Sequence, residues 1–307
     1  MPFAKQTYTV ESETLAFLFI MRQFGMTQGE AQRVIDRGRL LVSNAPMRDK
    51  SARIHGEVEV VHFVPDSQGN IPIFVQKDFA VFDKPSGILV HPNKTQSPYT
   101  LLDEIRAHSG QHANAVHRID QETSGLVLAS RHKRAESYLK NAFERKAISK
   151  SYLAWVDGRI NNDFQVDAPI RINQDYSQTK HKVCIDFERG KPSKTLFEVL
   201  EYDPKHDATL LRCRPKTGRT HQIRIHLFHV KHPILGDPIY TTTFEVTTDY
   251  LEERLSPQDR LYHTGASRLM LHAQTLEFTY KNRYFIESRF DFEDLKKEIV
   301  VDRRLVY

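Results

Sequence analysis

The sequence is poor in the features that mark secreted, membrane and metal-binding proteins. Its two cysteines, Cys184 and Cys213, are too few for a disulfide framework or a Cys-x-x-Cys metal site. We therefore expect free thiols in a reducing compartment. The first residues lack the long apolar core of a signal peptide, and the most apolar early run, residues 15–21, is too short to cross a bilayer. These absences predict a cytoplasmic protein without a membrane segment.

Internal repeats and low-complexity tracts are also lacking. Without them, a chain of 307 residues suits one large domain accompanied by a small one. A polar, turn-rich stretch at residues 64–70 (VPDSQGN) is the expected linker. We place the domain boundary within it, so that residues 1–66 form the small unit and residues 67–307 the large one.

The excess positive charge lies in the large unit. The chain has a formal net charge of +5, yet residues 1–70 carry eight basic and eight acidic side chains. Residues 131–150 contain seven Lys or Arg against two Glu, and residues 205–232 contain seven against one Asp. A single basic block is typical of a solvated surface, whereas two blocks together favour a nucleic-acid partner.

The small unit has the signals of two helices followed by strands. Residues 12–25 predict a helix capped by Ser12 or Thr14 and ended by Gly25. A second helix follows, for which Thr27 and Glu30 match a capping box. Residues 39–43 and 58–64 predict strands.

The large unit mixes short strands with sparse helices and has no βαβ rhythm. This pattern predicts an α+β fold with a mixed sheet and flanking helices. We expect a helix to start at Thr220, with Ile223 and Leu227 facing inward. Residues 241–266 are polar and poorly patterned, which predicts an inserted or mobile segment.

One stretch, residues 114–130 (NAVHRIDQETSGLVLAS), combines reactive side chains with a rigid setting. It predicts a strand, a polar loop and a buried strand, with Asp120 at the point where the first strand ends. A carboxylate held there suits catalysis, because chemistry concentrates on loops carried by a rigid scaffold. From the spacing alone, Asp120 could equally be an ordinary turn residue.

Four kinds of chemistry compete for the polar residues of the large unit. The histidines between 221 and 232 suggest a metal, but no Cys partner or His-Glu-x-x-His pattern accompanies them. Asp120 and Glu122 are too close in sequence to flank a glycosidic bond. The Lys216–Arg219 turn lacks the Gly-Lys-Ser/Thr of a phosphate loop. The fourth possibility is a lone carboxylate with a cation and an aromatic ring, acting on a nucleobase.

Four motifs, in the same order along the chain, resemble those of the RluA-type family of RNA pseudouridine synthases. Residues 117–126 (HRIDQETSGL) resemble the family signature, and residues 83–87 (DKPSG) resemble its Lys-Pro-x-Gly loop. Residues 150–154 (KSYLA) resemble the strand with the active-site tyrosine. Residues 217–224 (TGRTHQIR) and 232–237 (HPILGD) resemble the third motif. The resemblance covers about residues 71–280 and implies the pseudouridine synthase fold, a mixed and largely antiparallel central sheet.

The small unit resembles the RNA-binding module first known from a ribosomal protein of the small subunit (the alpha-L module). Residues 31–35, 42–44 and 56–58, together with Gly38, carry this resemblance. It implies a helix pair packed on a short sheet, with a face that follows RNA. A generic small α/β domain is the alternative.

The resemblance also implies roles for particular residues. Asp120 becomes the essential carboxylate, Tyr152 the aromatic ring beside the uracil, and Arg224 the cation that pairs with Asp120 and keeps it ionised. The remaining candidates for contact with RNA or the uridine are His117, Arg118, Arg219, Thr220, His221, Gln222 and Ile223.

The implied reaction breaks the bond between ribose and ring nitrogen, turns the uracil, and rejoins it through carbon 5. No external reagent is consumed, so we expect neither a cofactor nor a metal. The base must leave its stack and enter a pocket. We expect a monomer whose partner is RNA, with large-subunit ribosomal RNA first and tRNA second. The alternative from another class is a non-catalytic RNA-binding or ribosome-assembly protein.

Overall fold

The computed structural model describes residues 3–93, 98–173 and 181–306. Within these ranges the strands form three sheets, of four, ten and two strands. The four-stranded sheet belongs to the N-terminal part, and the ten-stranded sheet organises the rest. None of the helices in the described ranges is long and apolar enough to cross a membrane.

The N-terminal part is a four-stranded antiparallel sheet covered by two helices. The sheet order is β1-β4-β2-β3. An apolar cluster that includes Ile20, Ile35 and Val58 fills the space between helices and sheet. The elements are β1(Phe3–Leu15), α1(Ala16–Phe24), α2(Gln28–Asp36), β2(Leu40–Val42), β3(Ala45–Met47) and β4(Arg53–Phe63).

The sequence placed the beginning of the first helix wrongly and its end correctly. Residues 3–15 form β1, which pairs with β4 from Phe3 to Val10 and again at Thr14. Ser12 and Thr14 therefore lie in the strand and cap nothing. Gly25 ends α1 in the left-handed conformation. The predicted capping box of α2, formed by Thr27 and Glu30, is confirmed.

The large unit is built on the ten-stranded sheet, with helices on its flanks. The strands of this unit are β5(Phe74–Val75), β6(Phe79–Lys84), β7(Asn114–Ala115), β8(Ser124–Ser130), β9(Ser149–Asp157), β10(Phe164–Asp167), β11(Ile170–Ile172), β12(Val183–Ile185), β13(Lys194–Asp203), β14(Ala208–Pro215), β15(Leu271–Tyr280) and β16(Asn282–Glu287). Of these, β11 and β12 form the separate two-stranded sheet. The helices of this unit are α3(Leu101–Ser109), α4(Lys133–Glu144), α5(Gln222–His229), α6(Phe244–Leu251), α7(Pro257–Thr264) and a final 3-10 helix, Glu293–Glu298.

The ten-stranded sheet is mixed and largely antiparallel, as predicted. Its main path runs β10-β13-β14-β9-β15-β8-β6-β5, with β16 beside β15 and β7 beside β8. The β8–β15 pair is parallel, and the other strand pairs of this sheet are antiparallel. Gly125 allows β8 and β15 to approach here. Its φ is +109°, and a Cβ at this position would lie 2.4 Å from the carbonyl oxygen of Ala273.

The segment between the two units is held in place by α3. The backbone N–H of Asp66 donates to Asp103 at 3.1 Å, and the N–H of Gln68 donates to Glu104 at 2.6 Å. The Ser67 hydroxyl also donates to Glu104, at 2.6 Å. Because both acceptors are buried, the polar stretch that the sequence predicted as a linker is fixed to the large unit.

Three expectations for the large unit were wrong. Asp120 does not lie at the end of a strand but in a loop, five residues beyond the end of β7. The Leu128 N–H donates to the His117 ring at 2.9 Å, so the backbone pairing of β7 with β8 does not continue towards Asp120. Helix α5 begins at Gln222, since His221 has a positive φ of 51°. Residues 241–266 form α6 and α7, whose first N–H groups are capped by Thr243 and Ser256.

Candidate active site

A cavity of about 560 Å³ opens between the 117–123 loop, β9 and the start of α5. This volume falls in the range typical of small-molecule sites, roughly 300–1,000 Å³. It therefore has room for a single nucleotide. Nine of the residues singled out from the sequence line it: His117, Arg118, Asp120, Tyr152, Arg219, His221, Gln222, Ile223 and Arg224.

Tyr152 occupies the middle of the sheet and borders the cavity. Its strand β9 lies between β14 and β15, where Tyr152 is level with Cys213 and Ala273. The side chain is only 7% exposed, and burial raises the pKa of its hydroxyl. The ring is therefore neutral and held by its neighbours, as a stacking surface for a base requires.

Arg224 is anchored mainly by Asp237, and only its outer edge reaches Asp120. It donates to the two carboxylate oxygens of Asp237 at 2.7 and 2.8 Å, and to Asp120 at 3.4 Å. Burial alone would lower the pKa of Arg224, but the Asp237 carboxylate outweighs burial and raises it. A permanent cation is thus fixed beside Asp120, whose side chain remains 28% exposed to the cavity.

Two histidines near Asp120 are neutral. Burial, followed by the charge of Arg224, lowers the pKa of His221 to about 4. Its Nδ1 is hydrogen-bonded to the Tyr240 hydroxyl at 3.0 Å, and its Nε2 is 3.9 Å from Asp120. Burial likewise lowers the pKa of His117 to about 3, and its ring stacks on Phe143. His117 thus stabilises the loop.

One sequence candidate, Thr220, does not line the cavity, and one that does, Gln222, uses its side chain to hold a neighbouring turn. Thr220 is exposed and is not among the residues that line the cavity. The Gln222 side chain accepts from the Thr217 hydroxyl at 2.6 Å and from the Arg219 N–H at 3.0 Å. Gln222 therefore organises the turn that carries Arg219 at the cavity rim.

The sequence missed a cluster that holds the Asp120 loop from behind, here called the Glu122 clamp. Glu122 accepts from the Tyr250 hydroxyl at 2.8 Å and from Arg260 at 2.7 Å. Burial acts to raise the pKa of Glu122, but Arg260 and Tyr250 outweigh it and lower the pKa. Arg260 also donates to the Gly236 carbonyl at 3.3 Å, next to Asp237. The clamp therefore joins the two segments that carry Asp120 and Asp237.

A second support comes from the Lys-Pro-x-Gly loop. The buried ammonium of Lys84 donates to the carbonyls of Pro85 at 2.8 Å, Ile88 at 2.8 Å and Gln121 at 2.9 Å. Burial lowers the pKa of Lys84 to about 7. Three carbonyl acceptors match the three donors of an ammonium, so Lys84 ties its own loop to the residue that follows Asp120.

In the predicted histidine cluster, His226 on α5 has a structural role. His226 is hydrogen-bonded to the Thr195 hydroxyl at 2.9 Å and to the Ala168 carbonyl at 3.0 Å. Across residues 3–93, 98–173 and 181–306, no three His, Cys, Asp or Glu side chains converge as metal ligands would.

Positive charge surrounds the cavity. Asp120 and Glu144 are its acidic lining residues. The cations that line it are Arg118, Lys146, Lys150, Lys216, Arg219 and Arg224. A pocket with this excess attracts a polyanion and positions it through its phosphates.

Comparison with known proteins gives a consistent result. The family described as RNA pseudouridylate synthase matches residues 78–229. An uncharacterized RNA pseudouridine synthase of Helicobacter pylori is 37% identical and aligns over 93% of both chains. The dual-specificity RNA pseudouridine synthase RluA of Vibrio parahaemolyticus is 32% identical over 75% of this chain and 87% of its own. Human RNA pseudouridylate synthase domain containing 1 shares the fold, with a TM-score of 0.57 and 25% identity over 74% of this chain and 86% of its own.

The fold and the basic pocket define an enzyme that acts on RNA, and the chain belongs to the RNA pseudouridine synthase family. Within it, the chain is of the type represented by RluA and by the ribosomal large subunit synthase D of Nitrosomonas europaea, which is 37% identical over 56% of this chain and 49% of its own. Members of this family are isomerases that convert uridine to pseudouridine in RNA.

Proposed function

We propose that the chain isomerises uridines in large-subunit ribosomal RNA, with Asp120 as the essential carboxylate. The observation that carries this proposal is the placement of Asp120: it lines the same cavity as the buried Tyr152 and lies beside the anchored Arg224. Relatives named for the ribosomal large subunit support this RNA as the target. A relative described as dual-specificity makes tRNA the second candidate.

Each side chain has a physical task in this proposal. The uracil leaves its stack and lies against Tyr152, a contact worth roughly 1–3 kcal/mol per base. Asp120 then either attacks the ribose or removes a proton from it while the bond to the ring nitrogen breaks. Arg224 stabilises the charge at Asp120, and the neutral His221 beside it adds no competing cation.

The target is tested by mapping pseudouridine across ribosomal RNA and tRNA in cells with and without the gene. We expect sites in the large-subunit RNA to disappear in the deletion strain and to return when the purified enzyme is added to the unmodified RNA. Loss of sites only in tRNA would replace the first candidate with the second. If no site changed, this result would favour the alternative that the protein binds RNA without catalysing a reaction.

We further propose that residues 1–66 act as an RNA-binding module for the domain formed by residues 67–307. A cleft of about 320 Å³ lies between them. Arg33, Arg37 and Arg39 line it from the module, and Arg106 and Lys133 line it from the large unit. Lys133 is paired with Glu30 at 3.0 Å, so the other cations supply the net positive charge.

Deleting residues 1–66 is expected to weaken RNA binding about tenfold while the chemistry at saturating RNA survives, because phosphate contacts supply affinity. The apolar cluster of the module contains only its own residues, so the deletion leaves the core of the large unit intact. Filter binding and single-turnover assays measure the two effects. Equal affinity of the full and shortened chains would contradict the module's proposed role.

Replacing Arg260 by Met is expected to lower the free energy of unfolding by about 1–3 kcal/mol, because it leaves the partly buried Glu122 carboxylate with one donor fewer. It should also slow the single-turnover rate, since the Asp120 loop loses its support from α7. Arg254→Met is the matched control: Arg254 is 57% exposed, and its ion-pair partners among the described residues are Asp249 and Glu252. Equal urea midpoints and rates for both variants would contradict the clamp's role.

A further inference from the structure

Lys150 is a partly buried cation inside the candidate active site, and the reaction described above assigns it no role. It lies on β9, two residues before Tyr152, so both side chains project from the same face of the sheet. Both line the cavity. A Cβ on Gly218 would lie 3.6 Å from the Lys150 ammonium, which places the ammonium against the 217–220 turn.

Among the described residues, the ammonium of Lys150 has neither an ion-pair nor a hydrogen-bond partner. Burial lowers its pKa, and no carboxylate counters this effect. Its effect on the nearby His117 is repulsive, because its charge helps to lower the pKa of that ring. Neither acidic residue of the cavity lining, Asp120 or Glu144, forms an ion pair with Lys150, and Asp120 contacts Arg224 and His221 instead.

Three other cations of this region have charged or polar partners. Arg224 has the carboxylate of Asp237, and Arg260 has that of Glu122. Lys84 has three carbonyl acceptors. Withdrawing a charge from water without a partner is unfavourable, and Lys150 differs from these three cations because it lacks a counter-ion among the described residues.

We propose that Lys150 binds a phosphodiester of the RNA next to the uridine that enters the cavity, an inference that rests on the proposed function. Two residues along a strand span about 7 Å. This is comparable with the distance between a nucleobase and the phosphate of its own nucleotide, so a base on Tyr152 brings its backbone to Lys150. A phosphate supplies the missing negative charge, which a uracil carbonyl does not.

The decisive variant is Lys150→Met, which keeps the length of the side chain and removes its charge. We expect its dissociation constant for the substrate RNA to rise about tenfold at ~0.15 M salt, and the slope of log affinity against log salt to flatten by about 0.7, as for one lost phosphate contact. Its melting temperature should equal or exceed that of the unaltered protein, because an uncompensated charge is removed. Lys150→Arg should recover most of the affinity.

Lys205→Met is the matched control, since Lys205 is exposed in the turn between β13 and β14, at the far end of β14 from the cavity. We expect it to change neither affinity nor salt slope. An unchanged affinity and slope in Lys150→Met would overturn the proposal. So would a lowered melting temperature without a loss of binding, which would indicate a structural role.

A second measurement uses the RNA itself. Replacing the phosphodiester on either side of the modified uridine by an uncharged methylphosphonate should weaken binding to the unaltered protein at one of the two positions. At that position the losses from the methylphosphonate and from Lys150→Met should not add. Additive losses at both positions would place Lys150 on another group. If the unaltered protein binds this RNA but forms no pseudouridine, the proposed function fails while the binding comparison still tests Lys150.

Discussion

Replacing Asp120 by Asn is expected to abolish pseudouridine formation, with a loss of about 10⁴-fold or more, while the protein still folds and binds RNA. The two side chains have the same shape, and Asp120 makes no buried contact that Asn could not tolerate: its side chain is 28% exposed and meets Arg224 at 3.4 Å. An amide can neither attack the ribose nor accept a proton from it. Removing a catalytic base or nucleophile commonly has an effect of this size.

RNA affinity provides the internal check on this variant. Asp120 is an acidic residue in a cavity lined by six cations, so removing its charge should leave binding unchanged or slightly tighter. Asp167→Asn is the control, because Asp167 is 63% exposed and its contact with Lys194 is long, at 3.6 Å. We expect single-turnover rates and affinities equal to those of the unaltered enzyme. Full activity in Asp120→Asn would refute the proposed mechanism.

The sequence predicted the parts of this molecule that depend on local patterns. The capping box of Thr27 and Glu30 and the end of α1 at Gly25 follow from neighbouring residues. The meeting of Asp120, Tyr152 and Arg224 does not, since 104 positions separate the first from the third. It was expected because the motifs that contain these residues resemble those of one family in the same order.

Contacts between distant segments escaped prediction for a physical reason. Arg260 pairs with Glu122 across 138 positions, and neither local sequence contains a sign of the other. The helices that carry Tyr250 and Arg260 did have readable signals, because Thr243 and Ser256 cap them and Pro257 follows one cap. Their polar surfaces hid the apolar periodicity that usually identifies a helix. Strand β1 was missed similarly, since its pairing with β4 is a tertiary contact.

Both the stability of the fold and the proposed chemistry depend on the side chain of Arg224. The residue is 3% exposed and its partner Asp237 is 1% exposed. Replacing Arg224 by Met should therefore lower the free energy of unfolding by about 3–5 kcal/mol, because a buried carboxylate loses its counter-ion. Activity should fall as well, since Asp120 loses its neighbouring cation. Arg224→Lys should be intermediate in both respects, as a lysine supplies charge without the two-pronged contact.

The pH dependence distinguishes this cause from simple loss of packing. Burial raises the pKa of Asp237 and the contact with Arg224 more than reverses this, so the pKa lies below the ordinary value of 3.8. Without Arg224, burial prevails and the folded protein holds a proton on Asp237 that the unfolded chain releases. The stability of Arg224→Met relative to the unaltered enzyme should therefore be poorest near pH 7 and recover as the pH falls towards 4. Urea unfolding at several pH values measures this. If the difference in the free energy of unfolding did not change with pH, lost packing, and not the unpaired Asp237 carboxylate, would be its cause.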